Sequence, residues 1–275
     1  MTPPAEWALK RILVALDASR ASLDALSAAA ALAERLGAEL GGLFVEDENL
    51  LRLGGHPFAR QMRLPSGDWG PLERGSIEAD LRAMAARARE ALAQAAARRR
   101  LAWSFRVARG RVSLEVIAAA GEADLLVLGV SGHRLTGGPG ETARAAAARA
   151  PISVLLLTRG AKMGQPILAA YDGSAAGDRA LGLGARLAEA GAGDLEVLVA
   201  APDRRRSEAL AEQARLQLDR PGAPARWAGG AQLGDVLRSA PPDALLVVGA
   251  DGPLLAEGGQ ERLLAEARCP VLLAR

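Results

Sequence analysis

Residues 124–158 read DLLVLGVSGHRLTGGPGETARAAAARAPISVLLLT, and the order of residue types within them decides the fold. A short apolar run, 125–128, stops at Gly129. A loop with glycines at 129, 132, 137, 138 and 140 follows, then an alanine-rich helical stretch, then a second apolar run after Pro151. Strand, glycine loop, helix and strand in that order make a phosphate cradle. Glycines let the backbone approach an anion and take positive φ, and free amides at a helix start point toward it. A glycine loop alone is a weak signal, so the surrounding pattern decides.

That pattern is strand and helix in alternation. The run 11–16 predicts a buried strand ending on Asp17-Ala18-Ser19, with Ser19 as N-cap of a helix over 21–36. Gly37 ends the helix and 39–45 makes a second strand. From 46 to 75, glycines and prolines interrupt any long element, which predicts an extended loop ordered in part by Phe58, Met62 and Trp69. A helix over 77–100, a strand around Trp103, Phe105 and Val107, and a short helix over 113–120 lead to the glycine stretch.

A second pass then begins. Asp172-Gly173-Ser174 follows the run 166–171 just as Asp17-Ala18-Ser19 follows 11–16, at an offset of 155 residues (Asp17 to Asp172). Helices over 178–190, 203–218 and 232–238 and strands over 195–200, 225–227 and 244–248 complete it. Gly249-Ala-Asp-Gly252 answers Gly129-Val-Ser-Gly132, and 269–274 answers 151–156. Five strands alternating with four helices, twice, predict an α/β fold: two open five-stranded parallel sheets with helices on both faces. The two domains are expected at 9–159, carrying the 46–75 loop, and at 164–275, shorter and degenerate.

Composition sets bounds. Half of the 275 residues are apolar but only 3% are aromatic, so Ala, Leu and Val must build the core, which suits helices on a parallel sheet. Lys+Arg at 34 against Asp+Glu at 32 is not the charge excess of a nucleic-acid binder. A lone cysteine, Cys269, fits a reducing compartment, and with two histidines it forms no metal-ligand spacing. No apolar run is long enough for export or membrane insertion, so a cytoplasmic location is expected.

The stretches ILVALDASRASLDALSAAAALAERLGAELGGLFV, LLVLGVSG and PISVLLL resemble the universal stress protein family, as a tandem of two such domains. The resemblance implies a Rossmann-like, adenine nucleotide alpha hydrolase-like fold, arranged as a pseudo-dimer within one chain whose halves pair through their last strands, with further pairing of chains open. Some members bind ATP or AMP through G-x-x-G, nine residues, then G-[ST], with an acidic residue after the first strand. That pattern puts Asp17 at the acidic position, with adenine near Val45, and Gly129, Gly132 and Gly140 at the three glycines. Glu141 falls at the hydroxyl position, and Thr142 is the nearest hydroxyl.

Two departures stand out: seven residues instead of nine separate Gly132 from Gly140, and Glu141 replaces Ser or Thr. A carboxylate about 4 Å from a phosphate costs roughly 1 to 4 kcal/mol, unless it holds a divalent cation such as magnesium. The second copy departs further, with Asp251 in the loop and five residues between Gly252 and Gly258. No nucleotide is expected there, only a structural role.

Blander readings stand beside these. Asp17 and Asp172 serve equally as helix-start caps. Gly129 and Gly132 serve as strand terminators, and His133, Arg134 and His56 as solvated surface. Three function classes follow: a nucleotide-binding regulator read by an unknown protein partner, an interaction module whose glycine loops are relics, and, last, a slow ATP hydrolase. The last lacks any visible base or charge stabiliser.

Overall fold

In the computed structural model, which describes residues 9–54, 56, 58–62, 67, 69–130, 140–158, 165–219, 223–256 and 258–275, strand and helix alternate from the first element. β1 (Arg11–Ala15), α1 (Arg20–Leu36) and β2 (Glu39–Asp47) lead into a short helix α2 (Glu48–Leu53) and a hairpin of β3 (Arg60–Met62) and β4 (Trp69–Pro71). Then come α3 (Arg74–Arg99), β5 (Trp103–Gly110), α4 (Val112–Ala120), β6 (Leu125–Val130), α5 (Glu141–Arg149) and β7 (Ser153–Thr158). The second half runs β8 (Ile167–Tyr171), α6 (Ala175–Glu189), β9 (Leu195–Val199), α7 (Arg204–Gln217), β10 (Ala225–Trp227), α8 (Leu233–Ser239) and β11 (Leu245–Gly249). It ends in a 3-10 turn (Pro253–Leu255), α9 (Gly259–Glu266) and β12 (Val271–Ala274).

Strand order is β10-β9-β8-β11-β12-β7-β6-β1-β2-β5. The α/β class with helices on both faces of a mostly parallel sheet is as expected, and the two five-stranded sets join into one sheet through their last strands, the pairing that the resemblance implies. β7 and β12 pair antiparallel, with Leu156 opposite Val271, Leu155 opposite Leu272 and Val154 opposite Leu273. Val154 to Leu157 of β7 and all of β12 are apolar and buried, so leaving either as a free edge would expose leucines and an open row of backbone groups. The Arg275 N–H donates to Ser153 Oγ at 3.2 Å, and its guanidinium reaches the Ala147 carbonyl, fastening the same seam.

Period-two alternation sorts the strand residues onto two cores. Ile12, Val14, Leu125 and Val127 face α1 and α3, whereas Leu13, Leu126 and Leu128 face α4 and α5. α1 starts on Ser19, whose Oγ accepts from Ser22 N, and stops at Gly37, at φ 65°. α3 buries one stripe, Ile77, Leu81, Ala85, Ala88, Leu92 and Ala96, at helical spacing. Each such leucine contributes about 1.5 to 3 kcal/mol by leaving water.

The 46–75 segment corrects one expectation. Rather than an irregular loop, it extends β2 to Asp47, adds α2 capped by the Asp47 carboxylate, and forms the β3–β4 hairpin. Phe58 and Trp69 do not order it: they are 92% and 62% exposed.

Candidate functional site

β1 lies inside the first half, with β2 and β5 on one side and β6 and β7 on the other. Chain direction across the sheet therefore reverses between β1 and β6. The loops after these two strands part, and open α/β sheets bind ligands in that crevice beyond the carboxyl ends. A cavity of about 280 Å³ occupies it. Leu16, Leu43, Phe44 and Leu128 form its floor, Leu81 and Met84 of α3 one wall, Val112 and Val116 of α4 the other. Asp17, Ser22, Asp47 and Thr142 supply polar groups.

Of the residues picked from sequence, Asp17, Val45, Gly129 and Thr142 come together in this lining. Gly140 and Glu141 border it, outside the lining. Gly132, with His133 and Arg134, lies outside the described residues.

Asp17 is held by the start of α1. Its Oδ1 accepts from Ser19 N at 2.9 Å, its own N–H donates to Ser22 Oγ at 3.4 Å, and Ser22 Oγ donates to the Ser19 carbonyl at 3.0 Å. Burial pushes the Asp17 carboxyl up, but hydrogen bonds from the Ser19 and Ser22 side chains and from the Ser19 and Asp17 backbone outweigh it. The group ends below the usual carboxylate range. It is thus an anion at neutral pH and acts only as an acceptor, suited to hydroxyl groups. The turn is tight enough to place Ala18 at φ 59°.

Gly129 has a packing reason for being glycine: a Cβ there would meet the backbone of α1. Gly140 differs. It caps α5 at φ −58°, and no described atom lies within 4 Å of where its Cβ would stand. Among the described residues neither packing nor conformation asks for glycine at the start of this nine-residue helix. Glu141 leans to α4, where Ser113 Oγ donates to its Oε1 at 3.5 Å. Thr142, one residue on, keeps its place in the cavity lining.

The lining also holds residues the sequence reading missed. Asp47 and Leu50 come from the segment read as a loop; an Asp, an Asn two residues later and leucines beyond was the available capping signal. Leu81 and Met84, and Val112 and Val116, sit at i,i+3 and i,i+4, spacings that read equally well as ordinary core.

In the second half the equivalent positions carry different groups. Tyr171, fully buried, stands where the first half has Leu16. Asp172 is taken up by Ser174, whose N and Oγ donate to its Oδ1 at 2.9 and 2.5 Å. The turn after Gly252 drives Leu254 and Leu255 into the core, and Asp251 pairs with Arg179. A Cβ on Gly252 would lie 2.7 Å from the Ala176 Cβ, so this loop is packed onto its own helix. Among the described residues, no group of three or more His, Cys, Asp or Glu is arranged to hold a metal ion, and no helix is long and apolar enough to cross a membrane.

The sequence model of the Universal stress protein family matches residues 8–158. Among solved structures, the chain is similar to a universal stress protein from Archaeoglobus fulgidus DSM 4304, at 15% identity and a TM-score of 0.71, covering 96% of this chain and 98% of that one. It is also similar to a putative universal stress protein from Pseudomonas aeruginosa UCBPP-PA14, at 17% identity and a TM-score of 0.59, covering 98% and 94%. At these identities the likeness shows the fold. A universal stress protein family protein from Arabidopsis thaliana, with AMP bound, matches 55% of this chain and 93% of its own at 13% identity and a TM-score of 0.35. No curated protein matches the sequence.

Proposed function

The chain belongs to the universal stress protein family, and from that premise we propose that its first half, 9–159, binds an adenine nucleotide, ATP or AMP. The observation that supports this most is the cavity between β1 and β6, which gathers Asp17, Val45, Gly129 and Thr142. The base lies against Val45, and Asp17 accepts hydrogen bonds from the ribose hydroxyls. The phosphates meet amides of the Gly129-to-Gly140 loop, the first turn of α5 and the Thr142 hydroxyl. ATP would bring magnesium with it. The half 164–275 is proposed as a second, divergent domain of the family, its site closed by Tyr171, Leu254 and Leu255, serving structure. A stress-response or regulatory role follows if the occupied state is read by a protein partner.

Titration calorimetry with AMP and with ATP plus magnesium tests this. Saturable binding at one site per chain, weakened in Asp17→Ala, is the expected result; no heat with either nucleotide overturns the reading. One observation favours the rival class, a protein-interaction module without nucleotide. Glu141 puts a negative charge on the helix N-terminus that would otherwise serve phosphate. If Glu141→Ser creates binding that the natural chain lacks, the rival holds.

A further inference from the structure

We infer that Asp47 reads the base: it accepts a hydrogen bond from an exocyclic 6-amine and so selects adenine over purines lacking that amine. The inference rests on the nucleotide reading of the cavity. Leu43, Val45 and Asp47 alternate along β2, so all three side chains leave the strand on one side, and all three line the cavity. Asp47 is the last residue of β2, about 6.6 Å further along the strand than Val45. It therefore stands at the outer end of the surface against which the base is proposed to lie.

The Asp47 side chain has a fixed direction. Its Oδ1 accepts from Asn49 N at 2.9 Å, capping α2, and this bond holds the carboxylate at the cavity edge instead of letting it swing into solvent. A carboxylate offers acceptors only. Toward a ligand edge it favours N–H donors and repels a carbonyl oxygen, the same preference by which Asp and Glu take the amine of cytosine. Leu50, Leu81 and Met84 line the same cavity, and a hydrogen bond to a carboxylate is charge-assisted. The position matching Asp47 in the second half, 155 residues on, is Pro202, which has no side-chain acceptor. In the second half the capping carboxylate is Asp203, one residue further on, and it is taken up by the Arg206 N–H at the start of α7.

The test compares AMP with purine riboside 5′-monophosphate, identical except for the missing 6-amine, by calorimetry on the natural chain and on Asp47→Ser. Serine keeps the N-cap of α2, and a urea unfolding curve checks that the variant is folded. The natural chain is expected to bind AMP about tenfold or more tighter than the analogue, the worth of one hydrogen bond to a charged group. Asp47→Ser is expected to bind both at the analogue's level. Equal affinities on the natural chain, or a preference that survives in Asp47→Ser, overturns the role of Asp47 and leaves the nucleotide site standing. Binding of neither compound to the natural chain overturns both.

Discussion

The Cα of Gly129 lies so close under the carbonyl of Ala21 that a Cβ on it would stand 2.2 Å from the oxygen and 2.8 Å from Ser22 N. The end of β6 and the first turn of α1 are in backbone contact, and the second half repeats the arrangement, with Gly249 at 2.3 Å from the Ala176 carbonyl. Gly129→Ala is therefore expected to cost about 3 kcal/mol, since backbone cannot move aside as a side chain can. The urea midpoint should fall at unchanged slope. Gly249→Ala should do the same, and loss of ligand by Gly129→Ala would say nothing about phosphate.

Gly140→Ala separates binding from folding. With open space at its Cβ position and an ordinary φ, the variant should unfold within about 0.5 kcal/mol of the natural chain. A methyl group in front of the α5 amides should nonetheless weaken AMP binding by about tenfold, the loss of one charge-assisted hydrogen bond. Unchanged affinity would remove phosphate from this helix.

Ala18 sits at φ 59° where the second half has Gly173 at φ 81°. A left-handed alanine costs about 1 to 2 kcal/mol, part of which glycine returns through its greater unfolded freedom. Ala18→Gly should thus raise stability by about 0.5 kcal/mol. Gly173→Ala should lower it by about 2 kcal/mol, since its Cβ would also meet Leu210 Cδ2 at 2.7 Å. Paired unfolding curves should move in opposite directions.

Asp17 links stability to acid. Its folded pKa is lowered from the ordinary 3.8, with the serine and backbone hydrogen bonds outweighing burial. Its contribution is therefore complete above about pH 4 and is lost as pH falls through the folded value. Asp17→Asn should be less stable than the natural chain at pH 6, and that gap should narrow toward pH 3 in urea unfolding.

Tyr171, the one tyrosine of the chain, provides a spectroscopic check on the closed half. Burial pushes its hydroxyl up to about 12, helped by the nearby charges of Asp178 and Asp172. The unfolded chain releases this proton near pH 10, so stability should fall as pH rises from about 10 to 12. Ultraviolet titration of the folded protein should show no tyrosinate at pH 10.5. An ordinary curve would mean that the second half is open to water.

Much of the fold was legible because several buried strands, such as β1, β6, β8 and β11, are short apolar runs closed by Asp or Gly, and the long helix α3 carries a 3.6-residue stripe of Ile77, Leu81 and Ala85. The partnership of β7 with β12 followed only from the family resemblance, since Val154 and Leu272 read as buried whichever neighbour covers them. Of the site, Asp17 and Gly129 were visible from their places beyond strand ends. Asp47 was hidden because the glycines and prolines after it masked a six-residue helix. Leu81 and Met84 were hidden because a helix face that lines a cavity looks, in sequence, like one that packs a core. Tyr171 gave no sign that it would stand fully buried where the first half has Leu16.

The antiparallel seam between β7 and β12 also fixes how the molecule answers to dilution. In a dimer of separate chains, a seam of this kind comes apart as concentration falls, and the melting temperature falls with it. In this chain the partners share one backbone, so each strand meets the other at a local concentration set by tether length and not by how much protein is present. The ten-stranded sheet therefore persists in a single copy. Because the seam is antiparallel, the carboxyl ends of the parallel strands point to opposite rims in the two halves. A lone chain thus presents the cavity of its first half at one rim only.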